Sequence, residues 1–255
     1  LSNDLDVGSK LLINTGLQNP SQLHDAILTM DKFSNSLPVA IASIGSSKIT
    51  LLVGSAITVG ADATIPDNII LWFVGPGKLF VNSGKVLTIN SPSQVLAHTQ
   101  QQVFDGTGTV SFTNGGIVSP GWWGFSSGGT AAANADAYNA CTASLTATGG
   151  AIVIPPTGAA HQVDDTLTHP AKPMSVIGAH PELSIIESTA TASLKHGLTF
   201  TRSHHVRNLT IKTSASLASN YDMYGVRMDL DGVTVSGGNQ AVKWESVKVR
   251  GFNNS

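Results

Sequence analysis

Of the 255 residues, 14 are Lys or Arg and 16 are Asp or Glu, 12% in all, about half the roughly 25% usual in globular domains. That composition excludes a charge-solvated disordered chain, and a net charge of -2 leaves no basic footprint for a phosphate backbone, so no nucleic-acid partner is expected. Mean hydropathy is +0.13, yet no run approaches the ~18 consecutive apolar residues of a spanning helix, and no membrane insertion is expected.

With 26 Gly and few of the long straight side chains that favour exposed helix faces, an all-helical fold is excluded. Cys141 is the only cysteine, so neither an internal disulfide nor a thiolate metal site can form. The first twenty residues hold no basic n-region followed by an apolar one, so no secretion signal is visible.

Residues 1–36 read as a leader or connector. Behind Pro20, the spacing of Leu23, Ala26, Ile27 and Met30 predicts one short helix. A second is predicted over Leu37–Ile44, stopped by Gly45. From Ile49 onward, short apolar runs at 50–53, 57–59, 69–74, 78–81, 86–89, 94–97 and 103–104 alternate with Gly, Pro, Asn and Ser. Strands of three to five residues so closely spaced, with irregular in-out alternation, predict a coil of stacked levels rather than a sandwich.

Between 106 and 163 the only charged side chain is Asp136, so this stretch is expected to be largely packed. Inside it, 130–147 is the strongest helix prediction, with Ala133, Ala137, Ala140, Cys141 and Leu145 on one stripe and Gly149 and Gly150 as the stop. A strand follows at 151–154, ended by Pro155 and Pro156. Strand-like segments then return from Met174. Segments 206–212 and 244–250 read alike, each with a small polar residue, Asn208 or Ser246, at a bend between two strands of one level. Within 225–232, alternation puts Val226, Met228 and Leu230 on one face and Arg227, Asp229 and Asp231 on the other.

The blocks LPVAIASIG at 37–45, ITVGADATIP at 57–66, GKLFVNSGKVLTIN at 77–90, VFDGTGTVSF at 103–112, PGWWGF at 120–125, the Ala-rich helix, and GGAIVIPPTG at 149–158 come in an order that resembles the pectate-lyase-like right-handed parallel β-helix superfamily. Within it, the chain is similar to the branch of bacteriophage tailspikes and secreted polysaccharide-acting proteins, over residues 37–255. The resemblance implies an all-β solenoid whose open end is capped by a helix, a virion-tail or extracellular location, a homotrimer, and a polysaccharide as partner. Where relatives carry an aspartate-rich stretch before the helix, this chain has SSGGT at 126–130, so no calcium role is carried over to it.

The expected organisation is therefore a leader to 36, an N-terminal β-rich portion over 37–125, and the capping helix with the first levels of parallel β-helix over 126–255. An uncovered stack end is an aggregation hazard, so the natural chain is expected to continue beyond Ser255, or another subunit to cover it.

Four groups are candidates for chemistry. Trp122 and Trp123 suit the apolar side of a sugar ring, or serve as a wedge at the junction with the helix, which their uncharged surroundings favour. Asp164 and Asp165 form a carboxylate pair of the kind that serves acid-base chemistry or binds a cation, but adjacent strand residues point to opposite faces, which favours a turn or helix-cap role. Asp229 and Asp231 lie on one side at ~6.5–7 Å with Arg227 beside them. Were Glu245 on a neighbouring level, three carboxylates would reach one glycosidic bond at glycosidase spacing; the same residues also make an ordinary charged, wet face. His204 and His205, with Arg202 and Arg207, suit a surface turn or contact with an acidic glycan. The other histidines have no metal-ligand spacing, so no metal and no cofactor is expected. Three functions stay open: a tailspike-like protein that recognises and, in full length, cleaves bacterial surface polysaccharide; a non-catalytic structural or glycan-binding solenoid; and a pectate-lyase-like β-eliminating enzyme.

Overall fold

A computed structural model of the chain describes residues 26–145, 149–169, 173–189, 198–200, 204–213, 226–228 and 242–250. The described chain is mostly strand with two α-helices, and every strand pairing in it is parallel. Among these residues no helix is long and apolar enough to cross a membrane.

The first element departs from its sequence pattern. Ala26–Thr29 is a strand, β1, and only Met30–Phe33 makes a turn of 3-10 helix. The helical spacing of Ala26, Ile27 and Met30 loses because β1 docks in register on β2 (Ile49–Val53), Ala26 opposite Ile49, and four ladder residues outweigh one marginal helical turn. Helix α1 forms over Leu37–Ile44 with Pro38 in its first turn, and Gly45 ends it at φ 57°. It buries Leu37, Ala40 and Ile44.

Beyond β2 the chain climbs by threes. Strands β3 (Ala56–Val59), β4 (Ala63–Ile65), β5 (Ile69–Phe73), β6 (Lys78–Val81), β7 (Val86–Ile89), β8 (Val95–Leu96), β9 (Phe104–Gly106) and β10 (Thr109–Phe112) follow in order. Within this set strands three places apart pair, with β1 added beside β2, giving the sheets β1-β2-β5-β8, β3-β6-β9 and β4-β7-β10. Parallel pairing sets like over like: Leu51, Leu71 and Val95 form one ladder, Ile57, Leu79 and Phe104 a second, and Ile65, Ile89 and Phe112 a third. All nine are buried, and each such burial contributes roughly 1.5–3 kcal/mol before the entropy of ordering is set against it. The core lies between the three sheets, which is why strands of three residues suffice.

The second set begins at β11 (Gly116–Val118). Strands β12 (Gly150–Val153), β13 (Ala160–Val163), β14 (Leu167–Thr168), β15 (Met174–Ile177), β16 (Ile185–Ser188), β17 (Leu198–Phe200), β18 (His204–Thr213), β19 (Val226–Met228) and β20 (Val242–Arg250) follow. The ladder β11-β12-β15-β18 is continued by β20, while β13-β16 joins the far half of β18, and β14-β17-β19 forms a separate sheet. Strand β18 serves two ladders because it bends at Asn208, φ 56°, and β20 bends at Ser246, φ 52°. The similarity read between 206–212 and 244–250 is thus a pairing, Val206 over Trp244 through Lys212 over Arg250.

Helix α2 (Ala131–Ala143) follows β11 in the chain and touches both sets. Thr130 caps it by accepting from Ala133 N at 3.3 Å. On one side Phe112 N donates to Ser144 O at 3.0 Å. On the other, Asn134 Nδ2 donates to Gln162 O at 2.9 Å and Thr168 N donates to Asn139 Oδ1 at 3.0 Å. The predicted stripe is buried in part: Ala137, Cys141 and Leu145 are buried, whereas Ala133 and Ala140 are exposed, and Asn134, Ala135, Tyr138 and Thr142 complete the inner face. Asn134 takes an inner position because the backbone of Ser126 and of Gln162 needs partners there. Tyr138 Oη lies 2.8 Å from His169 Nε2 in the same interior, and burial pushes the Tyr138 and Cys141 ionisations well up, so both stay protonated.

Candidate functional site

Two surfaces gather the candidate side chains. The first is the outward face of β15, β18 and β20. Val206 is buried, so by strand alternation its neighbours His205 and Arg207 face outward, and both are half-buried. Register stacks Ser175, His205 and Lys243 in one file, and Ile177, Arg207 and Glu245 in the next. The diagonal between the files closes: His205 Nε2 lies 3.1 Å from Glu245 Oε2. Farther along, Lys212 Nζ is 3.4 Å from Glu187 Oε1, and Lys248 pairs with Glu182. Cations and carboxylates thus pair between levels stacked at the ~4.8 Å repeat of strand pairing.

The sequence candidates divide accordingly. His205 and Glu245, from two separate candidate groups, are brought together. His204 pairs through its backbone with Met174 and Val242. Arg227 pairs through its backbone with Thr199 on β17, so its strand and that of Glu245 belong to different sheets. Asp229 and Asp231 lie outside the described residues. Asp164 and Asp165 are exposed in the turn after β13, where Asp165 Oδ1 accepts from Thr166 N at 2.6 Å. Among the described residues no three His, Cys, Asp or Glu side chains converge as for a metal ion.

The second surface is a groove of about 240 Å³ beside α2, lined among others by Gln102, Asp105, Trp123, Ala133, Asp136 and Ala140. The tryptophan pair sits in a 3-10 turn, Pro120–Trp123, which Val103 N joins to the strand below by donating to Trp122 O at 2.9 Å. The two rings have different roles. Trp122 is 6% exposed and stands edge-on to Phe104 at 6.4 Å. Trp123 is half-buried, 5.0 Å from the same ring, and turns toward the groove. Lys78 Nζ lies 2.6 Å from Asp105 Oδ2 and holds that carboxyl below the ordinary range against the opposing effect of partial burial.

Asp105, Asp136 and Gln102 are the groove residues that sequence reasoning passed over. The available signal was Asp136 itself, the lone charge in 58 residues, set on an otherwise small-residue helix. Ala133 and Ala140, members of the predicted stripe, are exposed and form a groove wall. No family model, curated protein or solved structure matches the chain.

Proposed function

We propose that this chain is a right-handed parallel β-helix of the tailspike-like kind and that it recognises a bacterial surface polysaccharide. The observation that carries the reading is the in-register outward face, where His205, Arg207 and Glu245 set polar groups on neighbouring levels over the buried ladder of Ile152, Val176 and Val206. A polymer with a repeating unit is the ligand class that gains from repeated, evenly spaced donors and acceptors, because each added unit engages without a new translational cost. Three strands for each advance and parallel pairing throughout are what a β-helix requires. In its full-length form the protein cleaves the glycan as a hydrolase, acts as a trimer, and works on a virion tail or outside the cell.

Incubation with capsular and lipopolysaccharide glycans tests this reading through reducing ends and the absorbance of unsaturated products. Reducing ends alone accord with it, both signals together replace it by a lyase, and binding with neither leaves a non-catalytic glycan-binding solenoid. The last alternative has an observation in its favour: Glu245, the one described member of the proposed acid group, lies against His205, an arrangement that ties levels together. Sedimentation at micromolar concentration is expected to give a trimer, and a clean monomer would count against the tailspike kinship.

A further inference from the structure

We propose that the groove beside Trp123 is a subsite for one neutral pyranose unit, apart from the outward strand face; the proposal rests on the glycan-binding reading above and names a ligand class for a second place on the molecule. The cavity is built in advance of any ligand. Its turn is held by Gly106 at φ 89°, and by Gly108, where a side chain would meet the backbone of Asn82 and Lys85. Its opposite wall is α2, joined to the strands beyond by Asn134 and Asn139. Exposed Ala133 and Ala140 leave room that a longer side chain would take.

Size and chemistry then select the occupant. A volume of about 240 Å³ lies below the ~300 Å³ lower end for drug-sized ligands and suits a single ring rather than an oligomer. Trp123 offers the half-exposed aromatic face that packs on the C–H side of a pyranose, while Asp136 and Gln102 offer an acceptor and an amide for its hydroxyls. The lining holds two carboxylates, Asp105 and Asp136, and no Lys, Arg or His. Lys78 offsets the charge of Asp105, whereas no described side chain pairs with Asp136. A uronate would bring like charge against that carboxylate and is disfavoured. The groove therefore takes neutral sugar, and the outward face, with its cations, remains the place for acidic units.

The test uses the whole chain on a printed array of neutral and uronate-bearing bacterial oligosaccharides, with Trp123→Ala and Ala140→Phe compared with wild type. Ala140 is exposed, so its Phe variant fills the groove without touching the core; circular dichroism checks both variants. Neutral glycans are expected among the bound set, each variant weakening them at least tenfold while leaving uronate binding within twofold. Neutral binding that persists in both folded variants, an absence of neutral glycans from the bound set, or loss confined to uronates overturns the subsite and leaves the polysaccharide reading standing. A wild-type chain that holds no glycan of either kind overturns both.

Discussion

Asn208 and Ser246 sit one above the other with the same left-handed backbone, φ 56° and 52°, flanked by paired Arg207 and Glu245 on one side and Leu209 and Val247 on the other. Two residues of different chemistry share a conformation that L-residues avoid, because each lets a single strand turn from one sheet to the next. Asn tolerates that region better than Ser. Ser246→Asn is therefore expected to raise stability by about 0.5–1 kcal/mol, and Asn208→Val to lower it by about 1–3 kcal/mol, both read from urea unfolding. A Val variant as stable as wild type would mean that the bend is not under conformational strain.

Gly77 needs absence of volume rather than freedom of φ. A Cβ there would run into the carbonyl of Val53 on the level below, a backbone atom of a core strand that cannot give way. Gly77→Ala is expected to cost more than about 2 kcal/mol, whereas Gly84→Ala, with open space around it but φ 71°, should cost about 1 kcal/mol for conformation alone. Equal losses at the two sites would contradict the close approach.

The Asp105–Lys78 pair, at 2.6 Å and about one-third exposed, makes stability depend on acid. The folded carboxyl lies below its ordinary value because Lys78 hydrogen-bonds it. Its contribution is therefore fully present above the unfolded value near 4 and is lost as pH falls through the folded value. Screening at this exposure limits it to about 0.5–1 kcal/mol. Urea midpoints measured from pH 7 to pH 2 should fall less steeply below pH 4 in Asp105→Asn than in wild type; parallel curves would remove the pair from the balance.

Asp229 and Asp231 are expected to belong to a charged wet face rather than to catalysis. Converting both to Asn should leave any glycan cleavage intact, within a factor of about three. Complete loss of cleavage with retained folding would instead assign the acids to that strand, since removal of an essential carboxylate costs orders of magnitude.

Several elements were legible before any coordinates. Helix α1 is written locally, by Pro38 at its start and Gly45 at its end, and most strands stand out as apolar runs between turn formers because a level only a few residues wide needs nothing else. The likeness of segments 206–212 and 244–250 was visible too, and the structure pairs them, because parallel stacking sets like residues over like. Where a local pattern met a partner from farther along the chain, the partner prevailed: β1 reads as a helical turn until β2 offers it a ladder.

The candidate surfaces show the same division at the scale of function. Composition and periodicity alone established a strand-rich chain without a basic footprint, since burial and charge are summed residue by residue. They did not disclose that His205 meets Glu245, 40 positions on, or that Asp105, Trp123 and Asp136 share one groove. Those neighbours are created by the advance from level to level, and by the packing of α2 on both strand sets, neither of which has a signature within any single segment. Which face of α2 is buried was decided there too, because unpaired backbone groups of adjoining strands drew Asn134 and Asn139 toward them and left Ala133 and Ala140 outside.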